Sequence, residues 1–244
     1  MDLHRVAHPY PVTRYAGPAG SIISTVGDLL TYAAFHMGDG TTATGRRLLS
    51  AASMAMMQTM QPPNVLDAEN GWGISWNLRD LDGVRLVGHG GATNGFQAVL
   101  QLVPERQFAV VVLTNSGRGA ALHREVTNAI LHERLGLDTS DPATITLPQA
   151  DLQRVAGRFT NPRQQLDFTV EGDGLHVQSS WRGLTEERAP SPPFTLRPIS
   201  ATHFLVTDGE GVGGIVEFLA DSDTDGDGIP TLARVGSRLV RREA

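Results

Sequence analysis

The pattern of apolar and turn-forming residues changes once along this chain, and that change restricts the fold more than any other feature. Residues 1–137 mix helical periodicity with strand signals, whereas residues 149–244 contain short apolar runs separated by Gly and Asp. Between them, residues 138–148 are polar and end in Pro, as a linker does. The sequence therefore predicts an α+β protein with two domains, 1–137 and 149–244, each large enough for a modest core.

The first domain contains signals for both helices and strands. Ser24 and Thr25 mark a helix start, with Ser24 interpreted as the cap, and apolar residues follow at helical spacing before Gly38 ends the helix. A second helix is predicted from Ser50 to Met57. Strands are predicted over 72–78, 85–88, 96–103 and 108–114, with a hairpin connection at 104–107. An amphipathic helix follows over 123–135, with its apolar face formed by Val126, Ile130, Leu131 and Leu135.

The second domain contains strand signals and no convincing helix. Its short runs recur with Gly and Asp between them, a pattern typical of an antiparallel barrel or sandwich. The predicted strands are 157–160, 166–170, 175–178, 194–196, 203–206, 215–219 and 232–235.

The composition excludes several functions. A net charge of -6 argues against a nucleic-acid surface, and no apolar run is long enough to span a membrane. The chain contains no Cys, and all 20 basic residues are Arg, so neither a thiolate nor a lysine amine is available for chemistry. Residues 1–15 lack the apolar core of a signal peptide, which leaves the compartment open.

Metal and cofactor sites are not expected. The acidic run from Asp221 to Gly228 resembles the start of a calcium loop, but the twelfth position, Leu232, is not the bidentate Glu that such a loop uses. A plain acidic turn is the preferred interpretation, and calcium binding is the alternative. No other segment indicates a metal or an organic cofactor.

The segment from Gly88 to Phe96 carries the densest chemical signal. Its glycines allow a backbone to approach a ligand closely, and it places His89 near a strand end beside free N–H groups. Such an arrangement can stabilise an oxyanion, with His89 as acid, base or hydrogen-bond donor. The alternative from spacing alone is a tight glycine-rich hairpin turn in which His89 only caps the turn.

The order of several motifs resembles one enzyme family. Over about residues 14–135, the chain resembles the second half of the serine β-lactamase, penicillin-binding-protein and esterase family, closest to class C β-lactamases and related carboxylesterases. The matching motifs are Gly17-Pro18-Ala19-Gly20-Ser21, Ser24-Thr25 with Asp28, His89-Gly90-Gly91, Gly95-Phe96 and Leu113-Thr114-Asn115. The resemblance implies a catalytic role for His89, in place of the usual Lys of the third motif. It also implies oxyanion and substrate contacts at Gly90, Gly91 and Ala92, with the amide of Ala92 as an oxyanion donor.

Two family motifs are missing from this chain. Ser-x-x-Lys cannot exist without Lys. Ser75-Trp76-Asn77 fits the second motif literally, but it lies within a predicted strand that also places Trp72 and Trp76 on one face, and it is interpreted as strand alternation. We therefore expect no acyl-enzyme from this chain alone.

Two functions remain open. Either the chain belongs to a serine hydrolase that acts on a small acyl substrate (an ester, amide or peptide) and is completed by an upstream half, or it is a non-catalytic binding or partner module. A missing upstream half predicts exposed apolar surface around Leu29, Leu30, Met54 and Met57, and with it self-association.

The second domain resembles the lipocalin-like β domain that follows many members of this family. The resemblance depends on 155–159, on Gly174-Leu175-His176-Val177 and on a late strand that contains Phe218. Such a barrel either binds an apolar ligand or only braces the neighbouring domain.

Overall fold

The chain folds into two compact units, Met1–Thr139 and Ser140–Ala244. This computed structural model describes residues 17–61, 70–93, 95–116, 119–182, 192–209, 211–220, 228–236 and 238–243. The predicted domains, 1–137 and 149–244, and the predicted linker between them, 138–148, stay predictions.

The first unit is an antiparallel sheet with helices on both faces. Its five strands lie in the sequential order β1-β2-β3-β4-β5. The helices are α1 (Gly17–Gly20), α2 (Val26–His36), α3 (Ala51–Met57) and α4 (Gly119–Leu135). The strands are β1 (Asn70–Trp72), β2 (Asn77–Leu81), β3 (Val84–Thr93), β4 (Phe96–Val103) and β5 (Phe108–Thr114). A short 3-10 turn, Pro104–Arg106, joins β4 to β5 as the sequence predicted.

Local capping explains where the helices begin and end. The N-cap of α2 is Thr25 rather than Ser24, because the Thr25 hydroxyl accepts a hydrogen bond from the Asp28 amide at 3.2 Å. Ser50 caps α3 in the same way, at 3.0 Å from the Ser53 amide. The helix α4 ends at Leu135, and the residue that follows, Gly136, has a positive φ of 68° that suits a residue without a Cβ.

The two faces of the sheet have separate cores. On one face, Ala33 of α2 packs among Leu78, Val87, Leu100 and Leu102. On the other, Leu131 of α4 packs with Leu86 and Val103. The predicted apolar face of α4 is confirmed at Leu131, which is buried, and at Leu135, which packs against this core, while Val126 and Ile130 are half-buried. The helix also buries Gly119, His123 and Thr127, which lie at intervals of four with Leu131 and two of which are polar.

The predicted strand 72–78 is also wrong, because two strands replace it. β1 ends at Trp72 and β2 begins at Asn77, and the two residues pair with each other. Between them, Ser75 adopts a positive φ of 66° in the turn. Trp72 and Trp76 therefore do not share a strand face: Trp76 is buried in the core and Trp72 is half-buried. The interpretation of Ser75-Trp76-Asn77 as strand alternation fails with it.

The second unit is a closed antiparallel barrel of eight strands, which confirms the lipocalin-like architecture. Each strand pairs with the next in sequence, and β13 closes the circle by pairing with β6. The strands are β6 (Gly157–Thr160), β7 (Gln164–Glu171), β8 (Gly174–Trp181), β9 (Phe194–Pro198), β10 (His203–Val206), β11 (Ile215–Leu219), β12 (Leu232–Val235) and β13 (Arg238–Arg242).

Two elements of this unit were not expected from the sequence. A helix, α5 (Gln149–Val155), precedes the barrel and buries Leu152 and Val155 in its core. The closing strand β13 was missed because three of its five residues are Arg and only Val240 is buried.

The barrel interior is filled by aromatic side chains. Phe159, Phe168, Phe204 and Phe218 are all at most 2% exposed, and the ring centroids of Phe218 and the other three lie 5.2–5.8 Å apart. Edge-to-face packing at these distances is the favoured aromatic geometry. The four rings therefore belong to one packed cluster in the described part of the barrel core.

Candidate functional site

The glycine-rich segment is part of a strand rather than a turn. β3 continues through His89, Gly90, Gly91 and Ala92 to Thr93, and each of these residues pairs with one of β4. The predicted turn is therefore wrong for this segment. The left-handed conformation occurs later, at Gly95 with a φ of 89°, and neither Gly90 nor Gly91 has a positive φ. The regular ladder with β4 holds these glycines in an extended backbone.

The far end of β3 lacks a strand on its other side. The last register pair between β2 and β3 is Asn77 with Gly88. Beyond that pair, residues 89–93 bond to β4 on one side and meet no further strand among the residues that the structure describes. We call this end of β3, residues 89–93, the open β3 edge. Its exposed residues are His89, Gly90, Gly91 and Ala92.

The register with β4 determines which backbone groups face the open β3 edge. The carbonyl oxygen of Ala98 lies on the β3 side of β4, 3.6 Å from the point where a Cβ would stand on Gly90. Ala98 is the register partner of Gly91, so the polar groups of Gly91 face β4. Because these groups alternate along an antiparallel strand, the N–H and C=O groups of Gly90 and Ala92 face the open β3 edge.

His89 is exposed next to these backbone groups. Its Nδ1 lies 2.6 Å from the carbonyl oxygen of Gly90. Since a carbonyl oxygen only accepts hydrogen bonds, Nδ1 carries the proton in the neutral ring, and Nε2 then has a free lone pair. This tautomer suits proton transfer at Nε2.

An aromatic side chain stands beside His89. The rings of Trp72 and His89 meet edge to face, with centroids 5.9 Å apart. Sequence reasoning missed this contact because it placed Trp72 with Trp76 on one strand. The pairing of Trp72 with Asn77, and of Asn77 with Gly88, brings Trp72 to His89 instead.

Two other histidines are buried away from the open β3 edge. His36 is 3% exposed and contacts the rings of Tyr32, Phe35 and Trp76. Burial lowers its pKa. His123 of α4 lies 3.0 Å from the Thr114 hydroxyl, and burial lowers its pKa as well. Both histidines favour the neutral form and belong to the packing of the sheet.

Neither a metal cluster nor a membrane span occurs in the part of the chain that the structure describes. Within the described ranges, no group of three His, Asp or Glu side chains is arranged to hold a metal ion. The candidate calcium loop, Asp221–Asp227, lies outside the described residues. Of the described helices, none is both long enough and apolar enough to cross a membrane.

The helix-covered antiparallel sheet has the architecture of the β-lactamase-like class of serine hydrolase folds. The chain belongs to the Beta-lactamase family, whose family model matches residues 2–134, more than half of its length. This result confirms the family that the motifs indicated.

Individual relatives agree with this assignment. Residues of the chain are 37% identical over 128 positions to Penicillin-binding protein 4 of Amycolatopsis lactamdurans, covering 51% of this chain and 33% of that protein. The chain thus spans about a third of the length of this relative. Two solved structures, SurE and SurE with D-Leu, share the fold, each with a TM-score of 0.61 and each covering 90% of this chain. SurE is 24% identical, with 48% of its own chain covered. SurE with D-Leu is 23% identical, with 50% of its own chain covered.

Proposed function

We propose that this chain supplies the substrate-binding strand edge of a serine acyl hydrolase, and that a segment outside these 244 residues supplies the nucleophilic Ser and its Lys. The open β3 edge carries the proposal. It presents the backbone groups of Gly90 and Ala92 beside an exposed imidazole, with no side chain on Gly90 or Gly91 to cover them. Membership of the Beta-lactamase family supports this assignment.

The chemistry proposed for this edge is acyl transfer. A serine oxygen attacks the carbonyl carbon of an ester or amide, and the carbonyl electron pair moves onto oxygen. The Ala92 N–H donates a hydrogen bond to that oxyanion. When the tetrahedral intermediate collapses, the alcohol or amine leaves with a proton, and water repeats the sequence on the acyl-enzyme. His89 Nε2 accepts or returns a proton during these steps.

The substrate class follows from what flanks the edge. At this position an imidazole ring stands in place of the Lys ammonium that the family resemblance would lead one to expect, so the edge lacks the lysine charge that would bind a free carboxylate on the substrate. The indole of Trp72 offers an apolar wall next to His89. We therefore propose a small ester, amide or peptide with an apolar acyl group.

The competing function is a non-catalytic binding module with the same architecture. The absence of every Lys favours it, because the chain holds no Ser-x-x-Lys of its own. Under this alternative, an acyl ligand binds at the open β3 edge and is not turned over.

The first experiment separates the chain from its proposed complement. Incubation of the chain alone with a fluorophosphonate or a β-lactam should give no covalent adduct by mass spectrometry. An adduct on one Ser, with Ser21 and Ser24 as the residues to inspect, would mean that the nucleophile lies within this chain.

The second experiment combines the chain with an upstream segment that carries Ser-x-x-Lys. His89→Ala should then lower turnover about 100-fold, a typical loss for one acid–base or oxyanion contact. His176→Ala, on the half-buried part of β8, is the matched control and should leave turnover unchanged. Equal turnover in the two variants would refute the role of His89. Ligand binding without turnover in the combined protein would favour the binding module.

A further inference from the structure

Trp72, the last residue of β1, has a backbone that is fixed from both sides. Its carbonyl oxygen accepts a hydrogen bond from the Gln61 amide at 2.8 Å. In the turn that follows, the Ile74 amide donates a hydrogen bond to the carbonyl oxygen of Met57 at 3.0 Å. The turn between β1 and β2 is therefore tied to the last residue of α3, and the indole ring extends from a fixed backbone.

Gly73 makes this close contact between the turn and α3 possible. A Cβ on Gly73 would collide with the carbonyl oxygen of Met57, and it would also stand only 3.2 Å from the carbonyl oxygen of Thr59. Because no side chain fits between these backbones, a glycine is required for the close approach. The position of Trp72 thus depends on contacts outside the open β3 edge.

The His89 ring meets two groups that restrict it in different ways. Its Nδ1 lies 2.6 Å from the carbonyl oxygen of Gly90, and its face or edge meets the Trp72 ring with centroids 5.9 Å apart and planes at 77°. The hydrogen bond alone restrains an exposed side chain weakly, because water competes for the same groups. An aromatic pair of this geometry shifts a conformational equilibrium by roughly two- to tenfold.

We propose that Trp72 is a positioning residue for His89: its indole ring holds the imidazole against the Gly90 carbonyl oxygen, so that Nδ1 keeps the proton and Nε2 keeps its free lone pair. Trp72 thereby acts on the protein's own imidazole as well as forming an apolar wall. The consequence for turnover rests on the proposed acyl-transfer function, whereas the orientation and tautomer of His89 do not depend on it.

The first test measures the tautomer of His89 in the full chain and needs no turnover. A long-range ¹H–¹⁵N NMR spectrum at about pH 8.5, where a histidine ring is ordinarily neutral, shows which ring nitrogen carries the proton, and His89→Gln assigns the signal. We expect Nδ1 to carry it. Trp72→Ala should lower the ratio of the Nδ1–H to the Nε2–H tautomer by about two- to tenfold. Trp72→Phe retains an aromatic ring and should restore most of that ratio.

Two further variants make this measurement specific. Trp181→Ala, at a side chain that is 40% exposed on β8 of the second unit, is the matched control and should leave the ratio unchanged. Gly73→Ala leaves both rings in place but disturbs the backbone that carries Trp72, so it should lower the ratio as Trp72→Ala does. The backbone amide spectrum checks that each variant is folded. An unchanged ratio in folded Trp72→Ala would overturn the proposal.

The second test combines the chain with an upstream segment that carries Ser-x-x-Lys. Trp72→Ala should lower kcat about two- to tenfold. The loss should vanish when residue 89 is already Ala, since a positioning residue acts only through the residue that it positions. A change in KM alone, or an equal loss of kcat with and without His89, would show that Trp72 acts on the substrate directly and would overturn the positioning role.

The two tests together separate this inference from the function on which it builds. If the tautomer depends on Trp72 but turnover ignores His89→Ala, the acyl-transfer role of His89 is refuted and the positioning of its ring is supported. If turnover requires His89 but both the tautomer and kcat ignore Trp72→Ala, the proposed function is supported and the positioning role is overturned.

Discussion

Arg242, at the end of β13, offers the sharpest test of how the barrel is held closed. Its guanidinium donates three hydrogen bonds to backbone carbonyl oxygens: Nε to Pro230 at 2.7 Å, Nη1 to Ala156 at 2.7 Å and Nη2 to Arg154 at 2.6 Å. The same group lies 4.8 Å from the ring centroid of Phe159. One planar cation thereby ties the start of β6 to the segment before β12.

The cost of removing this side chain can be worked out from those contacts. A hydrogen bond that has a charged donor contributes roughly 1.5–3 kcal/mol when buried, and the lower end applies here because Arg242 is only half-buried. Three such bonds give about 4.5 kcal/mol, and the contact with Phe159 adds about 0.5–1 kcal/mol, so Arg242→Ala should lower the free energy of unfolding by about 5 kcal/mol. Arg242→Lys should cost about half as much, since an ammonium cannot reproduce the planar fork.

The neighbouring Arg241 is a matched control. It is exposed, and its substitution by Ala should change stability by less than about 0.5 kcal/mol. The assay is urea unfolding of the full chain, followed by hydrogen exchange in peptides from β6 and β12. If Arg242→Ala is no more destabilising than Arg241→Ala, the guanidinium does not hold the barrel closed and the reasoning is refuted.

Three further predictions concern packing and pH. Burial lowers the pKa of His36 from its usual 6.5, so the unfolded chain binds a proton at this residue more readily than the folded chain does. The free energy of unfolding should therefore fall as the pH drops below about 6.5. His36→Phe should weaken the dependence of the melting temperature on pH between about pH 7 and 5. Gly119→Ala should lower the free energy of unfolding in urea by about 1–3 kcal/mol, because the new Cβ would collide with the Thr114 hydroxyl. Gly91→Ala should lower it by less than about 1 kcal/mol, since its Cβ would meet the Cβ of Ala98 at an ordinary 3.5 Å. Phe218→Ala should cost about 3–5 kcal/mol by the same measurement, as it empties the middle of the barrel core; a loss below 1 kcal/mol would mean that the four rings do not form one packed core.

The expectation of exposed apolar surface on the first unit was correct only in part. Leu30 is 42% exposed, but Met54 is buried at 4%. The larger exposures occur elsewhere, at Ile22 and Ile23, both 84%. Helical periodicity shows which residues share a face, and only the packed neighbours decide which face is covered.

The sequence by itself determined the elements whose causes are local. The start of α2 follows from its N-cap, and the end of α4 follows from the left-handed glycine Gly136 just after it. The turn at Pro104–Arg106 follows from its proline. Each of these causes lies within a few residues of the element concerned. The family resemblance likewise depends on contiguous motifs, and the match over residues 2–134 confirmed it.

The tertiary structure decided the features that depend on partners far along the chain. The arginine-rich β13 is a strand because it pairs with β12 from Arg238 to Arg241. On its other side Arg241 and Arg242 pair with Thr160 and Phe159, about 80 positions earlier, a partner that no local signal reports. Gly90 and Gly91 remain extended because β4 supplies a ladder partner for each of them, although glycine itself is more common in turns than in strands. The open β3 edge also depends on strand pairing, since an edge exists only where pairing with a neighbouring strand stops. The contact between Trp72 and His89 depends on the pairing of β1 with β2 and of β2 with β3.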